Sequence, residues 1–265
     1  SDFASLTLKS GIQHIIISPG SRNAPLTIGF TNDPYFTCYS IVDERCAAFF
    51  AMGIAQQIGQ PTALLCTSGS ALLNYYPAIA EAFYSQIPLI IVSADRPTSK
   101  IDIGDGQTIR QRNVFENHSL FNANLTEDAT QTNDVLIQQA IITSKIKKGP
   151  VHINVPFEEP LYNTTSGYTY KPYLITDKFE ESKNVSINLD LIQHAKKIIV
   201  LIGSQNPNEI SQENINYLAS LPNVIILTEI NSNVHHENIV ANIDTLITTF
   251  NEDDFEYFTP DLLIT

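Results

Sequence analysis

The chain has 265 residues, of which 43% are hydrophobic and 16% charged, and this composition predicts two globular units, each with its own core. Its 15 Lys and Arg residues face 28 Asp and Glu residues, so the net charge is -13, which argues against nucleic acid or an anionic membrane as the main partner. No apolar run approaches the roughly 18 to 20 residues that cross a bilayer.

Short apolar runs rich in Ile and Val recur along the first part of the chain and predict strands. Each run is continuous, which is typical of a strand buried on both faces of a parallel sheet. Helical periodicity fills the segments between them, so we predict an α/β fold: a doubly wound parallel sheet with helices on both faces. The predicted strands are His14–Ser18, Cys38–Val42, Thr62–Cys66, Leu89–Ser93 and Val151–Val155.

The segment Glu44–Gly59 has a clear helical period and begins with a carboxylate. Gly59 followed by Pro61 supplies the stop signal. Glu44 falls in line with a stripe of alanines, so we expect it to point where the helix packs. Two interpretations remain open. In the first, the carboxylate has a structural role and either complements the positive helix N-terminus or pairs with an arginine. In the second, it is buried because it binds a ligand. The positions expected to pack are Ala47, Phe50, Ala51, Ile54, Ala55 and Ile58.

The sequence becomes polar after Pro160 and then resumes a strand and helix pattern. We predict a first domain at 1–165, a linker at 166–188 and part of a second α/β domain at 189–265. Within 189–265 the predicted elements are Lys197–Gly203, Glu209–Ser220, Asn223–Glu229 and the terminal run Asp261–Thr265. Because that last run is strand-like with nothing after it, we expect the chain to be a fragment of a longer polypeptide.

Two strand-to-helix turns carry candidate ligand-binding groups. In "ISPGSRNAPL" a turn at Pro19-Gly20 leads to Ser21 and Arg22, and free N–H groups beside a guanidinium suit a carboxylate or phosphate. An ordinary turn with Arg22 in a surface ion pair explains this segment equally well. The segment "CTSGSALLNYYPAIAEAF" has the same order of strand, glycine turn and helix, but by itself it is weak evidence for a ligand-binding site.

A loop rich in polar residues follows the strand Leu89–Ser93. In "SADRPTSKIDIGDGQTIRQ" it places Arg96, Gln107 and Arg110 just past the carboxyl end of that strand, where open α/β sheets bind ligands. The alternative is a solvated loop with no ligand.

Cysteine and histidine spacing points to no metal site. The three cysteines, Cys38, Cys46 and Cys66, lie in apolar runs where a thiol acts as a small hydrophobe, which favours a reducing, cytoplasmic setting. The six histidines include no HExxH pair.

Taken together, these motifs resemble one enzyme family. "ISPGSRNAPL", "VDERCAAFFAMGIA", "CTSGSALLNYYPAIAEAF", "IIVSADRP", "QTIRQ" and "GPVHINVPFEEPLY" stand in the order found in the 2-succinyl-5-enolpyruvyl-6-hydroxy-3-cyclohexene-1-carboxylate synthase family of the menaquinone pathway. The similarity covers about Ile12 to Tyr162. It implies a thiamine diphosphate enzyme with a pyrimidine-binding domain (1–165), a middle domain (189–265 in part) and a diphosphate-binding domain, which we expect to be absent from this chain.

The resemblance also implies an activity and roles for residues. Family members decarboxylate 2-oxoglutarate and add the four-carbon unit to isochorismate. Glu44 of the "DER" motif would hydrogen-bond N1′ of the cofactor pyrimidine and relay its proton, and Asn74 would lie near the cofactor. Ser21 and Arg22 would meet substrate carboxylate, while Arg96 and Gln107 would hold isochorismate. A cluster of Arg22, Arg96 and Arg110 would reconcile anionic substrates with an acidic protein.

The resemblance bears on metal, activity and assembly as well. Gly104-Asp105-Gly106 spells the "GDG" of the family's Mg²⁺ motif, but it follows the "DRP" loop rather than a third-domain strand, so no metal site is predicted here. Without a diphosphate-binding domain the chain alone is expected to be inactive, and the full-length protein to be a homodimer or homotetramer. Two alternatives remain: an acetolactate-synthase-like or oxalyl-CoA-decarboxylase-like enzyme, and a non-catalytic module of the same fold.

Overall fold

The computed structural model describes residues 3, 6–7, 10–128, 130–163, 171–174 and 189–265. The chain divides into two compact units, Ser1–Asp177 and Lys178–Thr265. Of the predicted linker 166–188, only 171–174 falls within the described residues, and the rest of that prediction lies outside them. Among the described residues, no helix combines the length and apolarity needed to cross a membrane.

The described part of the first unit contains a six-stranded sheet in the order β2-β1-β3-β4-β6-β5, with every pair of neighbours parallel. All five predicted strands are present within a few residues of their expected bounds. The short strand β5 was not predicted, because its sequence "NAN" has no apolar run. The strands are β1 (His14–Ile17), β2 (Thr37–Ser40), β3 (Thr62–Cys66), β4 (Leu89–Asp95), β5 (Asn122–Asn124) and β6 (Val151–Pro156).

Helices cover both faces of this sheet, so the predicted α/β fold class is confirmed. Successive strand residues point to opposite faces: Ile15 and Ile17 of β1 pack in one core cluster and Ile16 in the other. Burying each such side chain contributes about 1.5 to 3 kcal/mol. The longer helices in the described part of this unit are α1 (Ala24–Thr31), α2 (Glu44–Ile58), α3 (Tyr76–Tyr84) and α4 (Gln131–Lys147), and a 3₁₀ turn (Gly69–Tyr75) precedes α3.

Helix α2 packs mainly through small residues, with Met52 and Ile54 partly buried against the same core cluster. Its buried positions are all alanine, which lets the helix approach the sheet closely, whereas Phe50 and Ile58 are 44% and 43% exposed. The prediction that these two side chains pack was wrong, because the apolar residues of α2 occupy more than the one face that meets the sheet. Cys46 is exposed as well, and Cys38 is half-buried, so of the three cysteines only Cys66 is the fully buried hydrophobe that we expected.

The described part of the second unit has a four-stranded parallel sheet in the order β10-β7-β8-β9. Its core consists mainly of Ile and Val side chains from β7 and β8 with Ile215 of α6. The three predicted strands and the predicted helix are present, whereas α5, β9, α7 and α8 were not predicted. The elements are β7 (Ile198–Ile202), β8 (Val224–Thr228), β9 (Ile239–Val240), β10 (Leu262–Ile264), α5 (Leu189–His194), α6 (Gln212–Ser220), α7 (Ile243–Ile247) and α8 (Glu252–Phe258).

Candidate active site

The turns that follow β1 and β3 meet at the carboxyl edge of the sheet and enclose a cavity of about 450 Å³, which we call the Glu44 cavity. Contact between the turns depends on Gly20, because a Cβ atom there would lie 2.4 Å from the Cβ of Thr67. The cavity brings together four of the six predicted site residues. Its lining residues are Pro19, Gly20, Ser21, Glu44, Thr67, Ser68, Ser70, Ala71, Asn74 and Gln107.

Glu44 is the first residue of α2, and the cap before it fixes the start of the helix. The Asp43 side chain accepts a hydrogen bond from the N–H of Cys46 at 2.9 Å. Hydrogen bonds from Cys46 lower the pKa of Asp43, so the capping side chain is an ionised carboxylate. Glu44 itself is half-buried rather than buried as expected, because it lines the open cavity instead of packing under the alanine stripe.

Three buried, uncharged side chains, Ser18, Cys66 and Tyr75, lie close to Glu44. The hydroxyl of Tyr75 donates to the Oγ of Ser18 at 3.4 Å, and Tyr75 is fully buried. Burial raises the pKa of both Tyr75 and Cys66, and the nearby Glu44 carboxylate raises both further. Glu44 therefore has the open cavity on one side and uncharged core side chains on the other.

Ser68 is an unsatisfied polar group of the cavity wall. Its side chain is 2% exposed, and its Oγ has no hydrogen-bond partner among the described residues. Leaving a buried hydroxyl unpaired costs about 1 to 3 kcal/mol. A polar atom of a ligand in the Glu44 cavity would supply the missing partner. Asn74, by contrast, is exposed and its Nδ2 donates to the carbonyl of Ser70 at 3.1 Å.

Arg22 and Arg96 meet at a second, smaller cavity of about 220 Å³, which Lys100 also lines. Arg22 is 5% exposed and donates to the carbonyl of Phe157 at 2.9 Å and to Glu159 Oε1 at 3.0 Å. Arg96 approaches the same Glu159 oxygen at 3.7 Å. The structure thus brings these two predicted residues together around one carboxylate, while Ser21 lines the Glu44 cavity and not this one.

Arg110 does not join the predicted arginine cluster. Its side chain is 83% exposed and forms an ion pair of 2.9 Å with Asp102 in its own loop. Within the "GDG" run, Asp105 lies 3.5 Å from Arg96 Nε and the carbonyl of Gly106 accepts from Arg96 at 3.0 Å. In the part of the chain that the structure describes, no three His, Cys, Asp or Glu side chains are grouped to hold a metal ion.

Sequence reasoning missed a buried polar group at the ends of β4 and β6. Asp95, Gln111 and Asn154 are each less than 8% exposed and line another cavity, of about 830 Å³. Burial raises the pKa of Asp95 to about 6, while the hydrogen bond from Asn154 and the charge of Arg22 lower it. The available signals were Asp95 at the carboxyl end of β4 and Asn154 as a polar residue inside the otherwise mostly apolar strand β6.

Comparison with known proteins gives a consistent result. Residues 2–122 match the family model described as "Thiamine pyrophosphate enzyme, N-terminal TPP binding domain". The chain is 62% identical to a protein of Flavobacterium psychrophilum, and 58% identical to one of Flavobacterium johnsoniae, in each case over 96% of this chain and 47% of the relative. A protein of Christiangramia forsetii is 49% identical over 98% of this chain and 50% of its own length.

All three relatives are named 2-succinyl-5-enolpyruvyl-6-hydroxy-3-cyclohexene-1-carboxylate synthase. The chain spans about half the length of these curated relatives. The resemblance inferred from the motifs is therefore confirmed: the chain is similar over nearly its whole length to proteins named 2-succinyl-5-enolpyruvyl-6-hydroxy-3-cyclohexene-1-carboxylate synthase, and its first 122 residues resemble the N-terminal domain of thiamine pyrophosphate enzymes.

Proposed function

We propose that the full-length protein containing this chain makes 2-succinyl-5-enolpyruvyl-6-hydroxy-3-cyclohexene-1-carboxylate for menaquinone synthesis. It decarboxylates 2-oxoglutarate with thiamine diphosphate and adds the four-carbon unit to isochorismate. The observation that carries the proposal is the position of Glu44, a carboxylate on the wall of a cavity formed by the turns after β1 and β3. The names of relatives up to 62% identical support the choice of reaction.

The Glu44 cavity fits the aminopyrimidine part of thiamine diphosphate. A flat ring with nitrogen acceptors and an amino donor needs a carboxyl group and neutral hydrogen-bonding groups, and the wall offers Glu44, the unpaired Ser68 hydroxyl and the amides of Asn74 and Gln107. When bound, the cofactor supplies a carbon nucleophile that the side chains of proteins lack. Glu44 would hold a proton against ring nitrogen N1′ and exchange it during the reaction.

The two buried or half-buried arginines would bind the substrate carboxylates. Both substrates are anionic while the chain carries a net charge of -13, so binding needs a local positive site. Arg22 and Arg96 already approach one carboxylate, that of Glu159, at 3.0 and 3.7 Å, which supports a role for the pair in binding such an anion. Glu159 is 66% exposed and can turn away when a substrate carboxylate enters.

The organisation of the full-length protein follows from the same proposal. Residues 1–165 would form the pyrimidine-binding domain, 166–188 a linker and 189–265 part of the middle domain. Because the chain spans about half the length of its relatives, the diphosphate-binding domain with its Mg²⁺ site would lie in the other half. The full-length protein would be a cytoplasmic homodimer or homotetramer.

The reaction is tested with the full-length protein, thiamine diphosphate and Mg²⁺. We expect release of carbon dioxide and formation of the succinylated product with isochorismate plus 2-oxoglutarate, and no product when pyruvate replaces 2-oxoglutarate. Glu44→Ala is expected to abolish turnover. Preference for pyruvate would favour an acetolactate-synthase-like enzyme, and unchanged turnover in Glu44→Ala would reject the role of Glu44.

The 265-residue chain by itself is a separate test of the organisation. It is expected to release no carbon dioxide from 2-oxoglutarate above the background rate, because the groups that hold the diphosphate and the metal would be missing. Decarboxylation by the purified chain at a rate above background would contradict this assignment of the domains.

A further inference from the structure

Gln111 is a buried amide that connects three separate parts of the first unit. Its side chain is 1% exposed. Its Oε1 accepts from the N–H of Gly69 at 2.8 Å, and its Nε2 donates to the carbonyl of Ala94 at 3.1 Å and to Asn154 Oδ1 at 2.8 Å. Because its acceptor and both donor hydrogens are all in use, the amide is held in one orientation.

Gly69 is the part of this arrangement that belongs to the Glu44 cavity. Its φ of +87° lies in the left-handed region that favours glycine, and a Cβ there would lie 3.0 Å from the carbonyl oxygen of Gln107. Its neighbours Ser68 and Ser70 line the cavity. The segment 107–111 thus meets this wall at two points: the Gln107 backbone packs closely against Gly69, and the Gln111 side chain accepts a hydrogen bond from it.

The same amide reaches the strand end that carries Arg96. Asn154 Nδ2 donates to Asp95 Oδ2 at 2.7 Å, and Asp95 Oδ1 accepts from the N–H of Arg96 at 2.7 Å. Ser93 donates to the Asn154 oxygen at 2.7 Å, which fixes the orientation of that amide. A continuous series of hydrogen bonds therefore runs from the cavity wall at Gly69 through Gln111, Asn154 and Asp95 to Arg96.

We propose that Gln111 is a positioning residue that holds the Gly69 wall of the cofactor cavity in register with the strand end that bears Arg96. The inference rests on the proposed function and extends it to a residue that does not itself line the Glu44 cavity. Without the Gln111 acceptor, the buried N–H of Gly69 is unpaired and the turn relaxes to find another partner. Ser68 then moves out of its position in the cavity wall.

Gln111→Met in the full-length protein tests the proposal, since Met keeps the volume and removes all three hydrogen bonds. Hydrogen exchange of residues 67–75, measured without cofactor, is expected to become about tenfold faster. The dissociation constant of thiamine diphosphate, measured by titration calorimetry with Mg²⁺, is expected to rise about tenfold. Exchange and affinity both at the wild-type level would overturn the proposal.

Asn133→Ala is the matched control. Asn133 is another buried amide of the same unit, at 8% exposure, and its hydrogen bonds go to Thr126 and to the carbonyl of Asp128, neither of which lines the Glu44 cavity. We expect this variant to unfold at lower urea concentration while exchange of 67–75 and cofactor affinity stay at the wild-type level. Equal effects in Asn133→Ala and Gln111→Met would mean general destabilisation and would overturn the positioning role.

Gln111→Glu provides a second variant, because it keeps an acceptor for the Gly69 N–H. It loses the hydrogen bonds to the Ala94 carbonyl and to Asn154, but exchange at 67–75 is expected to stay slower than in Gln111→Met. When Gln111→Met does not fold, Gln111→Glu is compared with Asn133→Ala, each relative to its own free energy of unfolding. Exchange of this segment as fast in Gln111→Glu as in Gln111→Met, or faster than in Asn133→Ala at the same free energy of unfolding, would contradict the proposal. Absence of thiamine diphosphate binding in the wild-type protein would refute the proposed function alone, because the exchange comparison needs no cofactor.

Discussion

Replacement of Gly20 by alanine tests the contact that forms the Glu44 cavity. The added Cβ would lie 2.4 Å from the Thr67 Cβ and 2.9 Å from its Cγ2 and Oγ1, distances that force the two turns apart. Thr67 is 9% exposed, so its side chain has little room to move. Overpacking of this kind costs about 1 to 3 kcal/mol, and we expect Gly20→Ala to lower the free energy of unfolding by that amount.

Gly53→Ala is the control, since it makes the same chemical change inside helix α2. A Cβ at Gly53 meets nothing within 4 Å, and Ala is favoured over Gly in a helix by about 1 kcal/mol. Urea unfolding followed by circular dichroism suits this chain, which contains no tryptophan. The two variants should shift the midpoint in opposite directions. A Gly20→Ala protein as stable as the wild type would refute the packing of Gly20 on Thr67.

Three further predictions concern a cap, a buried histidine and a buried arginine. Thr130→Ala removes the side chain that accepts from the Asn133 N–H at the start of α4 and should cost about 1 kcal/mol in urea unfolding; an unchanged midpoint would contradict the cap. Burial lowers the pKa of His152 from 6.5 to about 3. Below pH 6.5 the unfolded chain therefore binds a proton that the folded chain does not, and the free energy of unfolding decreases as the pH is lowered. Between about pH 6 and pH 4 the wild type should lose about 1.4 kcal/mol per pH unit relative to His152→Gln, and parallel stability curves would refute a buried neutral imidazole. Arg22→Lys in the full-length protein keeps the positive charge but loses the planar guanidinium group that can bind a carboxylate with two hydrogen bonds. The KM for at least one carboxylate substrate should rise about tenfold. Unchanged KM values for both substrates would show that Arg22 is not part of the substrate site.

Much of the fold could be predicted because the apolar runs of β1, β3, β4 and β6 are short and rich in Ile and Val. Strand β5 could not be predicted, because the three residues Asn122–Asn124 are held by pairing with β6 rather than by their own apolar character. Phe50 and Ile58 were assigned to the core because the helical period is the same for a packed face and for an exposed apolar face.

The site residues that could be predicted are those that follow parallel strands, since the ends of such strands lie at one edge of the sheet. Ser21, Asn74 and Gln107 meet Glu44 for this reason. Arg110 lines the 830 Å³ cavity together with Arg96, but its side chain pairs with Asp102 in its own loop, a contact that the sequence pattern does not indicate. The contact of Gln111 with Gly69 joins residues 42 positions apart, and periodicity carries no information about such a pair.

The proposed reaction requires Glu44 as the group that exchanges a proton with the cofactor. Glu44→Gln preserves the size of the side chain and its ability to hydrogen-bond but removes the exchangeable carboxyl proton. In the full-length protein with saturating thiamine diphosphate, Mg²⁺, 2-oxoglutarate and isochorismate, we predict that kcat falls by about 10² to 10⁴. Wild-type turnover in Glu44→Gln would contradict the account.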